Sequence, residues 1–254
     1  MNDDTIIYGI HPVEELLRTR LSTVDHIYFD KEKKNALLFE IMKLCRKERL
    51  SYNLVPELKL RQLTGTPNHQ GIAALCSVLP YASTESLTEM LARIPNPLLV
   101  LPASVEDPGN LGAIIRSAVA LGADALLLER KHTAPLGGAA AKSSAGMVEH
   151  ITIARPKNLE AFIAELAGKG FKIVGAEMKN GKPPSTVTLT GPVVLILGGE
   201  HRGIPPYLLK QCTELISIPM NADAQSLNVS ASAAILLYEA ARQRAGSAEP
   251  PAAV

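Results

Sequence analysis

Glu106-Asp107-Pro108-Gly109-Asn110-Leu111-Gly112-Ala113-Ile114-Ile115-Arg116 decides how this chain is expected to fold. The apolar run Leu98–Leu101 leads into it, Pro-Gly turns the chain, and a helix opens whose buried stripe is Ile114, Ile115, Ala118 and Leu121. A strand that ends in a polar turn and resumes as a helix is the building unit of a parallel α/β sheet. Such sheets gather ligands at these junctions. Two further polar islands interrupt apolar sequence in the same way: Leu197-Gly198-Gly199-Glu200-His201-Arg202-Gly203, and Ile218-Pro219-Met220 followed by Ser226-Leu227-Asn228-Val229-Ser230.

Outward from these islands, apolar runs predict strands at Leu98–Leu101, Ala125–Leu128, His150–Ile153, Phe171–Ala176, Val193–Leu197 and Leu215–Ile218. Helical spacing predicts helices at Leu111–Leu121, Asn158–Ala167, Pro206–Gln211 and Val229–Arg244. Nearly continuous apolar strands flanked by helices imply a parallel sheet covered on both faces. A smaller α/β unit is expected before it. Ile6-Ile7-Tyr8-Gly9 is a short apolar start, a helix opens at His11-Pro12, Val24–Phe29 reads as a strand, Leu37–Glu48 as a helix and Ile72–Leu79 as a last buried strand. The expected division is 1–80, a connector with one helix at 81–97, the main domain at 98–244 and a disordered tail at 245–254.

The whole chain has 254 residues, 46% hydrophobic and 20% charged, which describes a folded globular protein with a sizeable core. No apolar run is long enough to span a bilayer, and the polar start Met1-Asn2-Asp3-Asp4 is not expected to act as a signal peptide. Cys45, Cys76 and Cys212 are scattered, which fits reduced thiols and a cytoplasmic location better than a disulfide framework or zinc site. The six histidines show no metal-ligand spacing, so no metal is expected. With a net charge of +1, bulk electrostatics does not announce nucleic acid. The cations Lys31, Lys33, Lys34, Lys43, Arg46, Lys47 and Arg49 would serve phosphate only if folding put them on one face; otherwise they are a solvated helix surface.

Among the islands, Asn110 can cap a helix or face a ligand. Arg116 lies among small and apolar helix residues, where a guanidinium calls for an anion, a carbonyl or a salt-bridge partner. Gly198, Gly199 and Gly203 lack the spacing of a dinucleotide fingerprint; they suit close approach of backbone to a flat ligand, or a structural turn. Ser226 and Asn228 can cap the helix after them, and Ala231 to Ala234 let that helix pack closely. Lys142-Ser143-Ser144-Ala145-Gly146 is either a small-residue loop admitting a cofactor or a tight turn.

The three islands, in this order, resemble the three motifs of the SpoU branch of the SPOUT RNA methyltransferases, the TrmH family. Tyr8-Gly9-Ile10-His11-Pro12-Val13, His69-Gln70-Gly71-Ile72-Ala73 and Lys142–Glu149 resemble the bacterial subgroup that methylates guanosine 2′-oxygens of 23S rRNA. The resemblance implies a C-terminal domain with a deep trefoil knot, an N-terminal RNA substrate-binding domain like ribosomal protein L30e/L7Ae, and a homodimer with its site near the interface. It further implies S-adenosylmethionine bound by Gly198, Gly199, Ile218, Met220, Ser226 and Leu227. Asn110, Arg116, Glu200 and Asn228 would be the catalytic and RNA-positioning set.

The implied reaction moves a methyl group to a ribose 2′-hydroxyl. The family proposal makes the first-motif arginine the base, yet a guanidinium holds its proton strongly. The preferred expectation is that Arg116 clamps phosphate and stabilises the developing oxyanion, with substrate phosphate or water taking the proton. Two alternatives stay open: a 2′-O-methyltransferase of tRNA or another rRNA nucleoside, and a noncatalytic RNA-binding factor in ribosome assembly. Ser104-Val105-Glu106 before the first motif and His201-Arg202 after Glu200 depart from the family pattern.

Overall fold

The computed structural model describes residues 5–77, 79–177, 181–199, 202–221, 223 and 226–247. Two sheets account for the strands. The N-terminal one is built from β1 (Thr5–Tyr8), α1 (Ile10–Thr19), β2 (Val24–Asp30), α2 (Ala36–Lys47), β3 (Tyr52–Val55), α3 (Glu57–Thr64) and β4 (Ile72–Cys76). Its strand order is β1-β4-β2-β3, with only β2 and β3 parallel. Val13, Leu16 and Leu17 of α1 and Leu38, Ile41 and Cys45 of α2 recur at helical spacing and close over Ile27, Phe29 and Ile72. Edge strand β3 and helix α3 were not among the expected elements. Alternation in β3 is weak, and Leu54 and Leu58 stay exposed.

The C-terminal part runs α4 (Thr84–Leu91), β5 (Leu98–Ala103), α5 (Pro108–Ala120), β6 (Ala125–Leu127), α6 (Gly138–Ser143), β7 (Thr152–Ala154), α7 (Leu159–Gly168), β8 (Lys172–Ala176), β9 (Val193–Gly198), α8 (Pro206–Leu209), β10 (Glu214–Ile216) and α9 (Val229–Ser247). Its six strands are all parallel, in the order β10-β8-β9-β5-β6-β7. Residues of α5, α6 and α9 cover one face and residues of α4, α7 and α8 the other, so every residue of β5 is buried. That is the physical reason its strands read as continuous apolar runs.

Several boundaries differ from the sequence reading. His150 lies in a 3-10 turn before β7. Ile218, expected as a strand end, lies beyond β10, because Lys182 bridges to Ile216 and Pro219 follows. The final N-terminal strand stops at Cys76. The one helix of the expected connector, α4, packs beneath the parallel sheet through Leu87 and Leu91. Helix α9 continues to Ser247, and the rest of the expected tail, 248–254, lies outside the described residues.

Four of the seven N-terminal cations have partners within the protein. Lys43 pairs with Glu40, Lys31 with Glu32, Arg46 donates to the Tyr52 hydroxyl, and Arg49 reaches the carbonyl of Lys157.

A polar seam joins the two sheets. The Arg155 guanidinium pairs with Asp25 at 2.6 Å, stacks over the Tyr81 ring and donates to the carbonyls of Glu129 and Arg130. Tyr81 also donates to Asp25, and Ser51 to the carbonyl of Arg130.

Candidate functional site

After β5 the chain builds outward through β6 and β7, then returns to place β9, β8 and β10 on the other side of β5. The crevice of such a sheet opens where this reversal occurs, at the carboxyl ends of β5 and β9. Ala103 and Gly198 are neighbours there. A cavity of about 360 Å³ occupies the β9 side of this edge. It is lined by all six expected cofactor residues: Gly198 and Gly199 at the end of β9, Ile218 and Met220 after β10, and Ser226 and Leu227 before α9. Leu197, Ile216 and Leu236 add apolar wall, while Glu177, Ser217 and Ser232 add polar atoms. A larger cleft, about 840 Å³, lies at the junction of the two sheets and shares no residue with this one.

Main-chain packing explains the glycines more directly than ligand contact does. A Cβ on Gly199 would lie 2.0 Å from the carbonyl oxygen of Ser104, and one on Gly198 would lie 2.6 Å from the Gly203 backbone. Gly203 closes the turn by donating its N–H to the Gly199 carbonyl at 2.9 Å. The loop after β5 and the turn after β9 therefore stack backbone on backbone, and the cavity wall beside them is main chain.

Asn110 is not the cap of α5. Asp107 is: its carboxylate accepts the Asn110 N–H at 2.7 Å. The Asn110 side chain turns instead toward Asn228, accepting the Asn228 Nδ2–H at 3.0 Å. Asn228 has both roles considered for it. Its Oδ1 accepts from the N–H and hydroxyl of Ser230 at 2.9 and 2.6 Å, capping α9, which leaves Nδ2 to face Asn110. Two motifs 118 residues apart thus meet in one hydrogen bond.

Beside this pair lies a second cavity of about 330 Å³, lined by Ser104, Glu106, Asp107, Asn110 and Arg202 and sharing Val229 with the first. His132 bridges its rim, 3.3 Å from Glu106 and 3.2 Å from Arg202. Arg116 lines neither cavity and is exposed on α5. Glu200 lies outside the described residues.

The Lys142–Gly146 segment, read as a loop or a tight turn, begins inside a helix. Lys142 and Ser143 end α6, which rests on α5 so closely that a Cβ on Gly112 would lie 2.5 Å from the Ala140 carbonyl. Glu177, directly after β8, escaped the sequence reading, and Ser217, expected inside a strand, falls just past β10.

Residues 97–238 match the SpoU rRNA Methylase family, and residues 6–82 match the RNA 2′-O ribose methyltransferase substrate binding domain. The chain belongs to the SpoU rRNA methylase family. Among relatives of this SpoU chain, the 23S rRNA (guanosine-2′-O-)-methyltransferase RlmB of Acinetobacter baylyi is 34% identical, over 94% of this chain and 97% of that protein. The AdoMet-bound rRNA methyltransferase of Sinorhizobium meliloti superposes with a TM-score of 0.57 at 26% identity, covering 94% of this chain and 87% of that one. The SpoU methyltransferase AviRb of Streptomyces viridochromogenes, at 24% identity and TM-score 0.60 over 96% and 92% of the two chains, shares the fold.

Proposed function

We propose that this SpoU-family chain transfers the methyl group of S-adenosylmethionine to a ribose 2′-hydroxyl of RNA, on a guanosine of 23S rRNA. The observation that carries the reading is the Asn110–Asn228 hydrogen bond set between two adjoining cavities, one suited to the cofactor and one open to RNA. Apolar walls at Leu197, Ile216 and Leu227 fit a flat purine, and Glu177, Ser217 and Ser226 supply acceptors and donors for ribose hydroxyls and an amino acid moiety. When bound, S-adenosylmethionine supplies an electrophilic methyl on a sulfonium.

The chain's own residues then have to align and neutralise. Asn110 and Asn228 orient the attacking ribose in line, which removes part of the entropic barrier to the transfer. Arg116 clamps an RNA phosphate and stabilises oxyanion character, while phosphate or water takes the proton. Glu200 is assigned to orienting Arg116 and the ribose. Arg116 stands outside both cavity linings, and Ile235 and Tyr238 expose apolar surface on α9. Both facts support a homodimer that brings a second copy to the site.

The same reading assigns 1–80 to RNA binding, in an L30e/L7Ae-like fold, 81–97 to a connector, and 98–244 to a methyltransferase domain with a trefoil knot. Three free cysteines support a cytoplasmic protein, and no helix among the described residues is long and apolar enough to cross a membrane.

The test is incubation with unmodified ribosomal RNA and, in parallel, unmodified tRNA, each with methyl-labelled S-adenosylmethionine, followed by nuclease digestion and mass spectrometry. One 2′-O-methylguanosine in 23S rRNA is the expected product. Label on tRNA alone would overturn the rRNA assignment, and cofactor binding without transfer to any RNA would overturn the enzymatic one.

A further inference from the structure

We infer that Glu129 is a positioning residue of this site, tying the loop after β5 and the segment after β9 to one buried carboxylate. The inference rests on the methyl-transfer reading for what is positioned, but its geometry is independent of it. Glu129 follows β6 and is 6% exposed. One of its carboxylate oxygens accepts the backbone N–H of Ser104 at 2.5 Å, and the other accepts the Tyr207 hydroxyl at 2.7 Å.

One partner lines the site and the other follows the turn that does. Ser104 leads into the first motif and lines the second cavity. Its φ of 56° is left-handed, a conformation that a residue with a Cβ holds only when its surroundings impose it. With its N–H turned down onto Glu129, Ser104 presents its carbonyl to Gly199, the contact too close for any side chain. Tyr207 sits in α8, just past the Gly203 turn of the second motif. One carboxylate therefore holds the Ser104 main chain directly and the segment after β9 through the Tyr207 side chain.

Burial pushes the Glu129 carboxyl above its ordinary range, against the opposing pull of the Tyr207 and Ser104 hydrogen bonds. A carboxylate kept in so unfavourable a place is held there by the bonds it makes. Its backbone is anchored as well, since the Glu129 carbonyl accepts Arg155 Nε–H at 3.0 Å, and Arg155 is the residue that pairs with Asp25 in the other sheet.

The test uses the full chain in three variants: Glu129→Ala, Glu129→Gln and Tyr207→Phe. Hydrogen exchange around Ser104 and around Gly203–Tyr207 reports loop order without substrate. Calorimetry with S-adenosylmethionine and single-turnover methylation of rRNA report cofactor affinity and chemistry separately. Glu129→Ala is expected to exchange faster in both segments and to lose turnover on the order of 10²-fold, with a smaller loss of cofactor affinity. Glu129→Gln keeps an oxygen for Ser104 and a polar partner for Tyr207, and is expected to recover most of the turnover. A Glu129→Ala protein that melts lower, yet exchanges and turns over like wild type well below its transition, would overturn the inference. Should that variant not fold, Tyr207→Phe decides: faster exchange and several-fold slower turnover support the role, and no change in either overturns it. If wild type neither binds S-adenosylmethionine nor methylates RNA, the functional reading fails while the exchange results still decide for or against Glu129.

Discussion

Arg155, on the segment after β7, and Asp25, near the start of β2, form an ion pair at 2.6 Å that crosses between the two sheets with both side chains almost fully buried. The pair is satisfied on several sides: Tyr81 adds a hydroxyl and a ring face, and two carbonyls accept the rest of the guanidinium. Its worth lies less in the attraction than in the cost of leaving either charge alone.

Asp25→Ala should therefore cost about 3–5 kcal/mol of stability, read from the midpoint of urea unfolding. A loss near that of an exposed pair, below about 1 kcal/mol, would show that the seam admits water.

Asn110→Ala and Asp107→Ala should separate chemistry from capping. Asp107 holds the end of α5, so its loss should cost about 1 kcal/mol. Asn110→Ala should leave stability within about 0.5 kcal/mol and slow turnover on the order of 10²-fold, with cofactor affinity little changed. Equal losses of cofactor affinity and stability in Asn110→Ala would return the residue to a structural role.

Gly199→Ala should damage the fold locally. Its methyl would meet the Ser104 carbonyl at 2.0 Å, main chain that has no rotamer to escape into. A destabilisation of about 1–3 kcal/mol, with a loss of S-adenosylmethionine binding measured by calorimetry, is expected.

His26 gives the protein an acid-side slope. Burial first, and the Arg155 charge second, lower its pKa from 6.5 to about 4. The unfolded chain takes up a proton below pH 6.5 that the folded chain refuses, so this contribution to stability is complete above 6.5 and falls away as the pH drops toward 4. The loss is about 1.4 kcal/mol per unit of pH across that window. His26→Phe should flatten this part of the stability curve, and an unchanged slope would assign it to the carboxylates instead.

What the sequence made legible follows from the physics of parallel sheets. The β5–α5 junction was readable because apolar continuity, Pro108 and the stripe through Ile114 and Ile115 all point to one structure. The six residues that the resemblance named for the cofactor line one cavity, because the turns after β9 and β10 and the start of α9 converge at one sheet edge. Side-chain roles were less readable. Nothing local distinguishes Asp107 from Asn110 as a cap, and only the fold turns Asn110 toward Asn228. Glu129 was missed because a carboxylate after Leu126-Leu127-Leu128 looks like a strand reaching solvent. Helix α6 was missed because Gly137 to Ser143 offers no apolar stripe; it forms against the bare face of Gly112.

The seam through Arg155 has one more consequence. Parting the two layers would strand both charges of the buried pair, so the pair resists a swing of the N-terminal sheet relative to the Asn110–Asn228 pair. Under the proposed function, an RNA held on the N-terminal sheet would meet Asn110 and Asn228 with a ribose at a constrained distance.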